Sequence, residues 1–438
     1  MKTLLEKALK VSDSAEIYER KVESTSISIL LGEVQGIESE KKTEISLRIV
    51  KDGKLGAAIA TDRNDDTLVS RALISLTHQK SEAEPFPNTP ISEVESYSEI
   101  VKEMTTETLV ASAFDLVERF KTLAKEVAFG VEVSRTFKTV SMVNSEGLDA
   151  SYDYSNVEVG IYTLNEKGFY NASRSFSGAD FPVITDEDLL GMFREHQLDD
   201  HEVTLGNERL PVVFSGSVMG ALMLRVVGGV SGANVTKGIS PVTDKLGQKV
   251  FSELLTIRDD GRLPLGLNTC AFDDEGTPAQ NTMVYENGVL KNYLLSVGHA
   301  KKLGMKPTGN AIKRALFSKE IEDVPTVFET NLIVEGPMTD DEALIRGIKR
   351  GLYITGVMGA HTGNINQGEF SMNISSGFLI ENGELVGKVK GAMIAGNIYE
   401  LFNEVEALGT KKEPMRGIFY LMGYSPMVKF REVSIVGK

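Results

Sequence analysis

The stretch Pro211–Gly232, PVVFSGSVMGALMLRVVGGVSG, constrains this chain more than any other. A short apolar strand, Val212 to Phe214, runs through a Ser-Gly-Ser turn at Ser215, Gly216 and Ser217 into an apolar segment from Val218 to about Val227. Ser217 suits an N-cap, and the pair Gly228-Gly229 suits a stop. A segment that is apolar nearly all round belongs in a core. Arg225 breaks the pattern, and a guanidinium in such surroundings needs a partner, since leaving it unpaired costs several kcal/mol, roughly. The expectation is a buried helix with Arg225 at the wall of a cleft, partly exposed, beside a carboxylate. Between Val212 and Gly232 there is no His, Cys, Asp or Glu, so this helix offers no metal ligand.

A core of this kind needs a large domain around it, and 438 residues suffice for two or three. Lys and Arg number 47 against 62 Asp and Glu, a net charge of 47 − 62 = −15. That balance speaks against a nucleic-acid or anionic membrane surface, where phosphate contacts require cations. The single cysteine, Cys270, excludes an intrachain disulfide and is expected buried and inert. The N-terminus, MKTLLEKALKVSDSAE, carries charges and no long apolar core, so it reads as a surface helix. No charge-free run approaches the ~20 residues of a membrane span. These readings place the chain in the cytoplasm.

The first half alternates. Ile27, Ile29 and Leu31, then Ile45, Leu47 and Ile49, mark half-buried strands, and Lys51-Asp52-Gly53 marks a hairpin. Helical patterns cover residues 66–77, 105–125 (capped by Thr105) and 185–193 (capped by Thr185). Strands resume from Val131 to Ser175 with a turn at 165–168, matching the order of the first half and suggesting an internal duplication. The expected organisation is α+β: an N-terminal unit at 1–84, a central unit at 98–204, and a β-rich C-terminal domain with a buried helix at 205–438. Hairpin signals at 274–276, 286–288 and 381–383 and a helix at 340–349 belong to the last of these.

Several residue groups invite chemistry. Glu195, His196, Asp199, Asp200, His201 and Glu202 could supply a metal site, although the spacing fits no compact helical motif and a solvated connector is the expectation. Asp273, Asp274 and Glu275 beside Gly276 read as a solvated turn rather than a cation site. His361 and Asn364 sit in a glycine-rich loop that could line a peptide cleft, with a surface loop as the plainer reading. Ser215 and Ser217 do not form a Gly-x-Ser-x-Gly elbow.

The runs AFDDEGTPAQNTMVYENGVLKNYLLS (271–296) and GLYITGVMGAHTGNINQGEFSMNISSGFLIENGELVGKVKGAMIAGN (351–397) resemble the C-terminal region of the TldD/PmbA family, and the N-terminal strands fit as well. This family of cytoplasmic metalloprotease subunits carries the older label "modulator of DNA gyrase". Its catalytic branch bears a zinc-binding His-Glu-x-x-x-His helix, in which two His hold the metal and the Glu activates water. Here Leu224, Arg225 and Gly229 stand at those positions, and none can ligate zinc. The chain therefore resembles the PmbA (TldE) branch, which lacks the motif. The resemblance implies a non-catalytic subunit that joins a zinc-bearing TldD-type partner, forms a homodimer when alone, and helps degrade small or unfolded peptides. An active metallopeptidase using His196 and His201, or a regulator that binds gyrase, are the alternatives. The implied substrate cleft includes Arg225, His361 and Asn364.

Overall fold

A computed structural model describes residues 1–77, 84–166, 168, 170–198, 201–314, 321–418 and 420–437. The first half forms one antiparallel sheet from β1 (Ser14–Leu30), β2 (Glu33–Lys51), β3 (Lys54–Ala60), β4 (Ala128–Asn144), β5 (Asp149–Leu164) and β6 (Tyr170–Gly178), in the order β3-β2-β1-β4-β5-β6. The order reads the same from either edge: β1-β2-β3 and β4-β5-β6 are two meanders joined back to back by the antiparallel β1–β4 pair. Each meander follows a helix and precedes one: Lys2–Leu9 and Leu68–Ser75 in the first, Thr106–Leu123 and Asp186–Gln197 in the second. The two segments expected as separate units thus give three strands each to one sheet.

Strand alternation sets the two faces of that sheet. Ile17, Ile45, Leu47, Val131 and Val159 point to one face, where the helices cover them. Thr105 caps its helix through Thr108 N, and Thr185 with Asp188 forms a reciprocal capping box. The opposite face carries Tyr18, Arg20, Lys138 and a row of serines, and turns toward the C-terminal half.

Among the described residues the C-terminal half holds two large sheets and a two-stranded one, Ala311–Arg314 with Ile321–Val327. Strands Glu208–Phe214, Val428–Val436, Met393–Asn397, Glu369–Glu381 and Arg350–Met358 pair in that order, and the last closes on the first, giving a small barrel. A six-stranded sheet lies beside it, with strand Glu413–Arg416 at one edge. The fold is α+β. Among the described residues no helix is long and apolar enough to cross a membrane.

The central helix runs Gly216–Val230, further at both ends than the sequence pattern indicated. Gly228 and Gly229 do not stop it; their carbonyls accept from Asn234 Nδ2 at 2.8 Å and Ser240 Oγ at 2.5 Å. Ser215 takes the N-cap position without a side-chain cap bond. The free amide of Ser217 instead donates to the Glu413 carboxylate at 3.1 Å, a partner supplied by another strand. The helix packs between the barrel and the six-stranded sheet, inside the largest apolar cluster.

Candidate functional site

Arg225 is fully buried. Its Nε donates to the Glu369 carbonyl at 2.9 Å, one terminal nitrogen to the carbonyls of Ala221 (2.7 Å) and Ala360 (2.6 Å), and the other to that of Thr362 (2.6 Å). The expected carboxylate neighbour and partial exposure are both corrected: the countercharge is a cage of backbone dipoles. Burial without an acid pulls the guanidinium pKa down to about 10, which leaves it a cation at neutral pH. Sequence patterns do not show where a loop will turn its carbonyls, so the cage was invisible at that level.

The cage fixes the loop from Gly359 to Glu369 against the helix. Thr362 Oγ1 reinforces it by donating to the Gly359 carbonyl at 2.7 Å and to that of Ser371. Gly359 and Gly363 have φ of 87° and 82°, which a side chain would strain. His361 and Asn364 lie exposed on the outer side of this loop. Arg225 lies beneath it, so the three residues expected to share a cleft stand on opposite sides of one loop.

One turn further along the helix, a β-carbon built on Gly229 would collide with the Tyr399 hydroxyl. Tyr399 stacks on Phe251, ring centroids 5.8 Å apart, and its buried hydroxyl makes no hydrogen bond among the described residues. Leu224 is buried in the apolar cluster. A divalent metal needs convergent lone pairs. These positions supply an alkyl group, a donor-only cation and a space already filled by a phenol, so the residues present do not fit a metal. Nothing in the sequence around Tyr399 announces that role; the missing side chain at Gly229 is the only trace.

The remaining candidates resolve into structural bonds. His196 Nδ1 lies 2.9 Å from Asn171 Nδ2 and 3.1 Å from Thr163 Oγ1, while Glu195 pairs with Arg174. His201 is exposed, and Asp199 and Asp200 lie outside the described residues. Among the described residues no group of three or more His, Cys, Asp or Glu side chains is arranged to hold a metal ion. Cys270 is buried, and burial raises its thiol pKa well above the usual value. The Ser215 and Ser217 hydroxyls are 3.5 Å apart at the helix start.

Asp273, Asp274 and Glu275 are not a solvated turn. Asp273 accepts from the amides of Glu275, Thr277 and Ala311 at 2.9–3.0 Å, Asp274 from Lys313 N at 2.7 Å, and Glu275 from Val297 N at 2.9 Å. Glu275 also faces Arg48, which binds Glu16 in a bidentate pair at 2.9 and 2.7 Å. Lys313 Nζ donates to Ser46 Oγ at 2.7 Å. The acidic run therefore organises a loop and fastens the C-terminal half to the polar face of the first sheet. The composition resembled a turn because buried acids that cap backbone amides look like exposed ones in sequence.

Residues 207–437 match the model of the PmbA/TldA metallopeptidase C-terminal domain, and residues 15–75 that of the PmbA/TldA metallopeptidase domain 1. An uncharacterized protein of Methanocaldococcus jannaschii is 27% identical over 416 residues, covering 91% of this chain and 93% of that one. Metalloprotease PmbA of Escherichia coli O157:H7 is 23% identical over 433 residues, covering 95% and 92%. The crystal structure of TldE from Thermococcus kodakarensis superposes with a TM-score of 0.89 at 23% identity, covering 100% of both chains, and shares the fold.

Proposed function

Because the chain belongs to the PmbA/TldD metallopeptidase family, we propose that it is the non-catalytic subunit of a metalloprotease acting on small or unfolded peptides. In this reading a TldD-type partner carries the zinc and the chemistry, while this chain completes the assembly and shapes substrate access. One observation carries it. The helix that bears metal ligands in the catalytic branch here holds a caged guanidinium at Arg225 and a space filled by Tyr399. A guanidinium has no lone pair to give a metal and repels a cation. No metal-dependent step is assigned to this chain.

Alone, the chain forms a homodimer through surfaces after about residue 205; with the catalytic partner it exchanges into a heteromer. The net charge of −15 supports a partner that is protein rather than nucleic acid. The assembly works in the cytoplasm.

The test is co-purification with a TldD-type subunit from the same organism. The mixture should run as a heteromer on size exclusion with light scattering and cleave an unfolded peptide, the zinc content tracking the partner. A chain that hydrolyses peptide alone, or that leaves the mass and activity of the partner unchanged, would overturn the reading.

A further inference from the structure

The back-to-back meanders of the first sheet leave two equivalent edges. β3 pairs with β2 only over residues 45–51, and β6 pairs with β5 only over 157–164 and the facing stretch 170–178. The earlier part of each long strand, 33–44 in β2 and 149–156 in β5, is paired on one side alone within the sheet. In β5 an extended segment of the chain itself takes the free side: Ser155 N donates to the Ser96 carbonyl at 3.2 Å, and Ser98 N to Ser155 Oγ at 2.8 Å. In β2 no described residue pairs with the equivalent edge, and Glu33–Lys41 is exposed apart from the half-buried Gly36. A long free edge is a template for strand addition.

The two faces at this edge state what would add. On one, Val34 and Ile37 are 42% and 48% exposed, beyond the reach of the covering helices. On the other, Gly36 and Glu38 open into a trough of about 540 Å³ that crosses the polar face of the sheet. Its floor is made of short side chains brought into line by the strand register: Ser28 faces Gly36, and Ser26 faces both Glu38 and Ser134. Glu132, Glu158 and Arg416 also line it, so that with Glu38 three carboxylates stand against one guanidinium. Lys41 and Lys42 are engaged by Glu23 and Glu44 at 3.0 and 2.9 Å, whereas Glu33, Glu38 and Glu40 make no ion pair among the described residues. Two copies meeting at this edge would bring those carboxylates together, so like charge disfavours self-pairing.

We propose that residues 33–41 of β2 form a strand-addition site for an extended cationic peptide segment, with basic side chains toward Glu38 and the trough and apolar ones beside Val34 and Ile37. Backbone bonds to the edge supply affinity, and alternation of side chains supplies register. The site does not depend on the assembly proposed above, and it is measured on this chain alone, so either can fail without the other.

The probe is a fluorescein-labelled, end-blocked nonapeptide of alternating Lys and Val, measured by anisotropy at low salt, beside its fully N-methylated counterpart of equal charge. The expected result is binding of the first and at least about tenfold weaker binding of the second. Ile37→Lys and Glu38→Lys, both at exposed positions, should each weaken the first probe by about tenfold. Equal binding of the methylated peptide would reduce the effect to charge attraction and overturn the proposal. So would undiminished binding by both variants, or no binding at millimolar peptide. A dimer that Ile37→Lys converts to monomer, without peptide binding, would assign the edge to a second copy instead.

Discussion

The Tyr399 hydroxyl fills the space that a β-carbon on Gly229 would need, although the two residues lie in different elements of the C-terminal half. A glycine inside a helix costs about 1 kcal/mol relative to alanine. Here it is retained at a point where the helix meets a phenol with no hydrogen bond of its own among the described residues.

Gly229→Ala should therefore destabilise the protein by about 1–2 kcal/mol, overpacking outweighing the gain in helix propensity. Tyr399→Phe removes an unpartnered hydroxyl and should change stability by less than about 1 kcal/mol. The double variant should recover most of the loss, because the next ring atom is in ordinary contact at 3.5 Å. Urea unfolding midpoints measure this, and strictly additive effects would refute the clash.

Arg225→Met should destabilise by about 3–5 kcal/mol, since charge-assisted bonds are lost and the carbonyls of Ala360, Thr362 and Glu369 are left buried. The loop from Gly359 to Glu369 should become the first site of limited proteolysis. A loop as resistant as in the parent protein would show that the cage does not hold it.

The isolated protein should contain no stoichiometric zinc. Restoring the motif with Leu224→His, Arg225→Glu and Gly229→His should still fail to bind zinc tightly, because the new imidazole at 229 meets the Tyr399 ring. Adding Tyr399→Ala should improve binding over the triple variant. Isothermal titration with zinc separates the cases; tight binding by the triple variant alone would show that the pocket relaxes around the clash.

Glu329 supplies a pH dependence. It is buried, and burial raises its pKa from 4.5 to about 8, with the Arg314 guanidinium and the Tyr420 hydroxyl beside it offsetting only part. The folded state then holds a proton that the unfolded chain releases. Stability from this group is full below about 4.5 and is lost as pH rises toward about 8, with a slope of up to ~1.4 kcal/mol per unit. Asp259, raised to about 6 by burial, acts in the same direction over the lower part of that window. Glu329→Gln should flatten the fall between pH 5 and 8 and raise the melting temperature at pH 8. An unchanged slope would remove Glu329 as its source.

Much of the architecture was legible in the residues. Alternation at Ile27, Ile29, Ile45, Leu47 and Ile49 marks strands with one apolar face because a pleated strand turns its side chains by a two-residue period. Asp52-Gly53, Asn287-Gly288 and Asn382-Gly383 mark turns because their positive φ values suit these residue types. Thr105 and Thr185 mark helix starts because a hydroxyl near the first free amides accepts from them. The repeat of helix, three strands and helix was visible as a pattern, whereas the assignment of Leu224, Arg225 and Gly229 to motif positions came from the family resemblance.

Tertiary structure alone decided how those pieces meet. The two repeats could have closed as separate sheets; pairing of β1 with β4 makes them one and leaves the β2 edge free. Ser217 could have been capped locally, but Glu413 from a distant strand reaches its amide. Asp273 to Glu275 have the composition of a surface turn and become a fastening because backbone amides and Arg48 converge on them. Arg225 called for a partner, and the carbonyls that answer belong to a loop whose backbone direction no residue type encodes. Local sequence sets periodicity and capping through contacts a few residues apart. The partner of a buried charge or a helical glycine is set by which distant segments pack against it, and that is fixed only when the whole core closes.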